Sequence, residues 1–221
     1  MVRTWVVIPM YNEATAVGKV VSDILPHFRH IVCVDDGSSD SSADAARRAG
    51  AVVVQHPINL GQGASLQTGF DFALSDPAMT EVVTFDADGQ HQVTDAIGMV
   101  EKLRSEQLDV VIGSRFLDNR TELSNAKRVL LRVAAIYSRM TSGMALTDAH
   151  NGLRVLSRDL LSQVRLRQNR MAHASELIDK IGSSKVRWAE YPTHIVYTDY
   201  SRGKGQSLLN SVNILVELLF R

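Results

Sequence analysis

Cysteine is nearly absent: Cys33 stands alone inside the apolar run Ile31-Val32-Cys33-Val34. A small buried hydrophobe is the expected state of such a residue, and a catalytic thiol is not. With no disulfide framework the chain suits a reducing cytoplasm. Net charge is absent too. The 24 basic residues balance 24 acidic ones, so no global field draws the protein onto nucleic acid, and any anionic ligand must be held locally. No apolar run reaches the roughly 18 residues a bilayer span needs, and the opening MVRTWVVIPMYNE is too short in apolar residues for a signal peptide, so a soluble chain is expected.

Several nucleotide and catalytic signatures are missing as well. The first strand–helix turn contains no glycine, and Asn59-Leu60-Gly61-Gln62-Gly63 lacks the third glycine of a dinucleotide fingerprint. Gly203-Lys204-Gly205-Gln206-Ser207 has the wrong register for a P-loop. The seven histidines and one cysteine show no zinc spacing, and no Gly-x-Ser-x-Gly elbow occurs.

What is present is alternation. Short apolar runs over Thr4 to Ile8, Ile31 to Val34, Val52 to Gln55, Glu81 to Phe85 and Val110 to Gly113 predict buried strands. Helical periods separate them, as over Glu13 to Leu25 with Val17, Val20, Val21 and Ile24 on one face, and over Ser41 to Ala49 before Gly50. Alternating strand and helix predict an α/β domain with right-handed crossovers and a mostly parallel central sheet flanked by helices. In the second half the pattern predicts a long amphipathic helix over Glu122 to Ser142, a loop over Thr147 to Arg154, a helix over Ser175 to Ile181 ending at Gly182, and a strand over Val186 to Tyr191. One domain is expected over 1–221, with a nucleotide-binding half to about 115, an acceptor-side half to about 205 and an amphipathic helix beyond.

Ligands of an open parallel sheet bind beyond the carboxyl ends of its strands. Three such ends are distinctive here: Pro9-Met10-Tyr11-Asn12-Glu13, Asp35-Asp36-Gly37-Ser38-Ser39-Asp40 and Asp86-Ala87-Asp88-Gly89-Gln90-His91. Aspartates at i and i+2 on an extended segment face the same side, so Asp86 and Asp88 can share one hard cation, Mg2+ or Mn2+, which neutralises a diphosphate leaving group. A solvated acidic turn is the bland alternative; the strand-end position favours the metal. Asp35 and Asp36 suit either a turn or a ligand for nucleobase or ribose, and Tyr11 can pack on a base.

Together these stretches resemble the inverting family 2 glycosyltransferases of GT-A fold, and within them the dolichol-phosphate mannosyltransferase-like branch acting on polyprenyl phosphates. The matching segments are VVIPMYNE, VCVDDGSSD, NLGQGAS, VTFDADGQH, VIGSRF, DAHNGLRV and YSRGKGQS, in the family's order. The resemblance implies a nucleoside site at Pro9, Tyr11, Glu13 and Asp36. It implies metal and diphosphate binding by Asp86, Asp88 and Gln90, with Ala87 between them on the nucleotide. Arg115 is expected to face donor and acceptor phosphates, Arg128 to help hold the acceptor, and Arg202 and Lys204 to lie on a loop closing over the donor. The Gln-x-x-Arg-Trp element of polysaccharide-building members is absent, because Ser184 precedes Arg187-Trp188 at the glutamine position; Trp188 is expected in the core.

The implied reaction is attack of an acceptor oxygen on the anomeric carbon of a GDP- or UDP-sugar, the nucleoside diphosphate leaving towards the metal. A hydroxyl acceptor needs a general base, for which Asp148 and Glu176 are the candidates; a phosphate monoester needs none. The implied acceptor is a lipid phosphate; the alternative is a sugar hydroxyl. A sugar nucleotidyltransferase would need a basic glycine-rich loop after the first strand, and intact Asp86 and Asp88 speak against a non-catalytic sensor subunit. The apolar stripe Leu208, Val212, Leu215, Val216 and Leu219 suggests peripheral contact with the inner membrane face or with a membrane partner, core packing being its bland alternative.

Overall fold

A computed structural model describes residues 3–118, 121, 125–184 and 186–196. The expectations for Arg202, Lys204 and the helix beyond 205 lie outside them. Among the described residues seven strands form one sheet: β1 Thr4–Met10, β2 His30–Asp35, β3 Val52–Gln55, β4 Glu81–Thr84, β5 Val110–Ser114, β6 Arg154–Ser157 and β7 Trp188–Pro192. Their spatial order is β3-β2-β1-β4-β6-β5-β7. All neighbours run parallel except at β6, which is antiparallel to both β4 and β5.

Helices cover both faces: α1 Val17–Ile24, α2 Ser42–Arg48, α3 Gln62–Leu74, α4 Val93–Ser105, α5 Asn125–Ser142, α6 Arg158–Gln163 and α7 His173–Ser183. β1 is buried at every position, so alternate residues feed two cores. Val6, Ile8 and Met10 join Val17, Val21 and Ile24 of α1 and Met99 of α4. Val7 meets Leu66 and Phe70 of α3 on the other side, in a core that also holds Leu177 and Ile181 of α7. Burial on both faces explains why β1, β2, β4 and β5 read as unbroken apolar runs; β3, expected buried as well, is instead an edge strand with Val52 45% exposed. Cys33 lies in the first core, where burial pushes its thiol up to about 12. Trp188 packs, partly buried, against the second.

Most expected boundaries move by a residue or a few, and four of the differences have a physical reason. α1 starts at Val17 rather than Glu13, because Asn12 takes a left-handed turn (φ 55°) and the N–H groups of Asn12 and Glu13 donate to the Ser38 and Ser42 hydroxyls. α7 runs through Gly182 instead of stopping there: the glycine sits against the Ser142 carbonyl of α5, a close approach rather than a terminus. β7 extends to Pro192 at the sheet edge, where a missing N–H costs no ladder bond. Finally, the expected loop ends where β6 begins, a strand that strict strand–helix alternation did not predict.

Candidate active site

The carboxyl ends of β1, β2, β4 and β5 open on one edge of the sheet, and the three sequence-predicted turns meet there. The first two are stitched together: Ser39 N–H donates to Asn12 Oδ1 at 2.9 Å, and Ala14 N–H to Asp40 Oδ2 at 3.1 Å. Pro9 is buried in β1 beside Val34, whereas Tyr11, just beyond the strand, is 47% exposed, with its ring available for stacking. Glu13 opens the turn leading to α1.

Asp36, expected at the nucleoside, is tied into the neighbouring loop. It is buried, and its carboxylate accepts from Leu60 N–H (2.9 Å), Gly61 N–H (2.7 Å) and His56 Nδ1 (2.8 Å). His56 Nε2 in turn meets Thr68 Oγ1 at 2.9 Å. Burial alone would raise the Asp36 carboxyl, but these donors outweigh it and hold it below the usual range. In this structure Asp36 therefore shapes the 56–61 loop. Asp35 does similar work, accepting from Ser38 N–H and Gln55 Nε2.

Asp86, Ala87, Asp88 and Gln90 follow β4. Asp88 accepts from Gln90 N–H (3.0 Å) and Gln90 Nε2 (2.7 Å), so Gln90 braces the second carboxylate. Withdrawal from water, then the Asp86 charge, pushes Asp88 up to about 6, with Glu13 adding to the repulsion. Asp86 is held the opposite way. Its withdrawal from water is overcome by His91, whose Nε2 lies 2.9 Å from Oδ2, and by the charges of Arg154 and His173, so its carboxyl stays low. Among the described residues no three His, Cys, Asp or Glu side chains form a ready metal cage. Two repelling carboxylates and an amide do fit a Mg2+ or Mn2+ ion that takes its other ligands from a diphosphate. Their mutual repulsion is what a divalent ion would relieve.

Across the cleft, Arg115 follows β5 and forms a two-pronged ion pair with Asp148, Nε and Nη2 to the two carboxylate oxygens at 2.5 and 2.7 Å. Asp148 also accepts from the Arg115 and His150 N–H groups. Burial would raise Asp148, but Arg115 prevails and keeps it ionised below the usual carboxylate range. The segment carrying it is tied down by Glu190, which accepts from Thr147 and Asp148 N–H at 2.8 and 3.2 Å. Glu176, the other candidate base, lies buried in α7 and accepts from Arg167 and Gln168 N–H at 2.8 to 3.0 Å. Its carboxylate organises that loop, and neither candidate base is idle. Arg128 lies on α5, but its side chain is outside what is described.

Motif reading had quoted His91 and Arg154 without giving them work. Arg154 is almost wholly buried at the start of β6, between the charges of Asp86 and Asp148, and burial pulls its guanidinium down to about 10. Gly152 passes so close to Asp86 that a Cβ there would strike its carboxylate. Among the described residues three buried atoms, His91 Nδ1, His150 Nδ1 and Arg154 Nε, have no hydrogen-bond partner, and all border the Asp86–Arg154–Asp148 group. Orphaned polar atoms concentrated at one place mark a site shaped for a missing ligand. Alternation of strand and helix hid this, because Arg154 reaches the cleft only through the antiparallel β6.

The profile described as "Glycosyl transferase family 2" matches residues 5–165. An uncharacterised protein of Methanocaldococcus jannaschii is 31% identical over 98% of this chain and 91% of its own length. A UDP-N-acetylglucosamine–dolichyl-phosphate N-acetylglucosaminyltransferase of Methanococcus voltae is 28% identical over 97% and 94%. Among solved structures, the glucosyl-3-phosphoglycerate synthase of Mycobacterium tuberculosis with Mn2+, UDP-glucose and phosphoglyceric acid superposes with a TM-score of 0.71 at 19% identity, covering 98% of this chain and 78% of that one. With the matched profile spanning most of the sheet and both sides of the cleft, the chain belongs to glycosyl transferase family 2 and is a glycosyltransferase of GT-A fold.

Proposed function

We propose that the enzyme transfers a sugar, with inversion, from a UDP- or GDP-sugar to a polyprenyl phosphate, using Mg2+ or Mn2+. The observation that carries this reading is the state of the carboxylates. Both candidate bases are engaged, Asp148 by Arg115 and Glu176 by the Arg167 and Gln168 N–H groups. A hydroxyl acceptor must lose a proton as it attacks, whereas a phosphate monoester is already anionic near pH 7. Relatives named as transferring sugars to dolichyl or other polyprenyl phosphates support the same acceptor class. The solved neighbours with UDP and Mn2+ or Mg2+ support the donor and the ion.

In this reading Asp86, Asp88 and Gln90 would hold the ion, which offsets the charge growing on the diphosphate. Tyr11 would stack on the base, with Pro9 and Glu13 lining the nucleoside side and Asp36 shaping the loop beneath it. Arg115, oriented by Asp148, would present its charge to the acceptor phosphate. Arg128 on α5 and Arg202 and Lys204 remain assigned by motif.

The test offers Mn2+ and a nucleotide-sugar panel together with either a polyprenyl phosphate or the matching free alcohol. Product from the phosphate alone is expected. Efficient transfer to the alcohol or to a simple sugar hydroxyl would reverse the acceptor assignment and make Asp148 the next residue to mutate.

A further inference from the structure

One side chain of the DAHNGLRV segment has no task within the fold. Asn151 is spent there, its Nδ2 donating to Thr193 Oγ1 at 2.8 Å and its Oδ1 accepting from Leu153 N–H at 3.0 Å. His150 differs. Its N–H donates to Asp148, but the residue stays half-buried and, among the described residues, its ring nitrogen Nδ1 is covered without a partner. Arg154, Asp148, Arg115 and His173 all act on the ring electrostatically. His173, at the start of α7, is the second imidazole of this place. It is 4% exposed, and its Nδ1 lies 2.7 Å from the Arg170 carbonyl. A carbonyl only accepts, so Nδ1 carries the proton and Nε2 of the neutral ring carries the lone pair. Gly63 passes so close that a Cβ there would strike His173 Cβ, while the neighbouring Gln62 Nε2 reaches Asp86 Oδ1 at 3.5 Å. Burial pulls both imidazoles down to about 4, so each is uncharged near neutral pH.

In the proposed reaction the diphosphate sits at Asp86 and Asp88 and the acceptor phosphate at Arg115, so the transferred sugar must lie between them. Arg154 bridges those two sides by charge, and His150 and His173 both border Arg154. We propose that His150 and His173 read the transferred sugar, hydrogen-bonding the hydroxyls of an uncharged sugar and disfavouring one that carries a carboxylate. Hydroxyls suit them, because a neutral imidazole donates on one nitrogen and accepts on the other, and a hydroxyl can answer either. A uronate finds no such welcome. Asp86 and Asp148 already match the charges of Arg115 and Arg154, Glu190 stands beside Asp148, and neither histidine adds a positive charge. This deepens the proposed function and rests on its nucleotide-sugar donor alone, not on the acceptor.

Titration calorimetry with Mn2+ compares the dissociation constants of bare UDP and GDP with those of UDP-glucose, UDP-N-acetylglucosamine, GDP-mannose and UDP-glucuronate. The ratio of each nucleotide sugar to its bare nucleotide isolates what the sugar contributes. For the parent, that ratio should be at least about tenfold worse for UDP-glucuronate than for the best uncharged donor. His150→Phe removes both ring nitrogens; His173→Asn keeps a donor for the Arg170 carbonyl and deletes Nε2. Each should worsen the ratio for the best donor about tenfold while the bare nucleotide binds as before. His150→Gln should retain most of the parent's ratio. A structural role alone would instead lower the unfolding midpoint and weaken bare nucleotide and nucleotide sugar together. Unchanged ratios in both variants would overturn the proposal. So would a parent that prefers UDP-glucuronate, and loss of that preference in Arg170→Gln would name the exposed Arg170 as the reader. A parent that binds UDP or GDP but none of the sugars would end the donor reading and this one with it. If the ratios move as expected while the sugar passes to a free alcohol rather than to a polyprenyl phosphate, the acceptor reading fails and the assignment of His150 and His173 stands.

Discussion

At the scale of single residues, the site is an arrangement of charges that oppose one another until a ligand arrives. Asp88 titrates near 6 against an ordinary 3.8, so its stabilising share is complete below about pH 4 and is lost as pH rises through 6. Asp88→Asn, which stays neutral, should therefore make the metal-free protein more stable than the parent at pH 8 and leave it little changed at pH 4. Thermal unfolding at the two pH values checks this. The same variant should lose transfer by at least about a hundredfold, since in the proposed reaction the ion would supply several kcal/mol at the leaving group. Turnover that survives EDTA would refute that. Arg115 and Asp148 behave as a unit. Arg115→Gln strands a buried carboxylate and should cost about 3–5 kcal/mol in urea unfolding, part of which Asp148→Asn restores in the double variant. Strict additivity would mean that the ion pair has no energetic weight. The motifs put Asp86, Asp88, Gln90 and Arg115 just beyond strand ends, and β4 and β5 bring them to one edge of the sheet. His91 and Arg154 were in plain sight but silent, since their meaning depends on contacts across the chain: His91 on Asp86, Arg154 on Asp86 and Asp148 together.

Among elements, the doubly buried strands were the easiest to read and the helix starts the hardest. An apolar period cannot tell that Asn12 and Glu13 spend their N–H groups on Ser38 and Ser42, so α1 begins a turn late. Gly182 is the instructive failure: read as a stop, it is a crossing point, where an added Cβ would run into the Ser142 carbonyl of α5. Gly182→Ala gains helix propensity of about 1 kcal/mol yet should destabilise by about 1–3 kcal/mol, because backbone must move to admit the methyl. A rise in unfolding midpoint would show that α5 and α7 are not held at this contact. β6 escaped notice because four residues, three of them buried, are too few to carry a period of their own.

For the whole molecule, the two sides of the cleft belong to a single sheet, so ligand occupancy should register as global stability. UDP or GDP with Mn2+ is expected to raise the unfolding midpoint by more than the sum of either alone, the pair stabilising the fold by about 2.7 kcal/mol at a hundred times the dissociation constant. Additive small shifts would argue that ion and nucleotide do not share a site. The strand order has a further bearing, on how the chain comes to be folded. β1 to β4 can pair as they leave the ribosome, but β5 has no neighbour among them: its partners are β6 and β7, some forty and eighty residues downstream. Until Arg154–Ser157 is made, β4 and β5 both present open edges. A nascent chain paused between about residues 118 and 150 would be the form most prone to pair with its own kind; the four-residue β6 would then join β4 to β5 and bring Arg154 to the cleft, and β7 would follow on the far edge of β5. The strand that joins the two halves of the sheet is thus the one that carries the buried charge lying between Asp86 and Asp148.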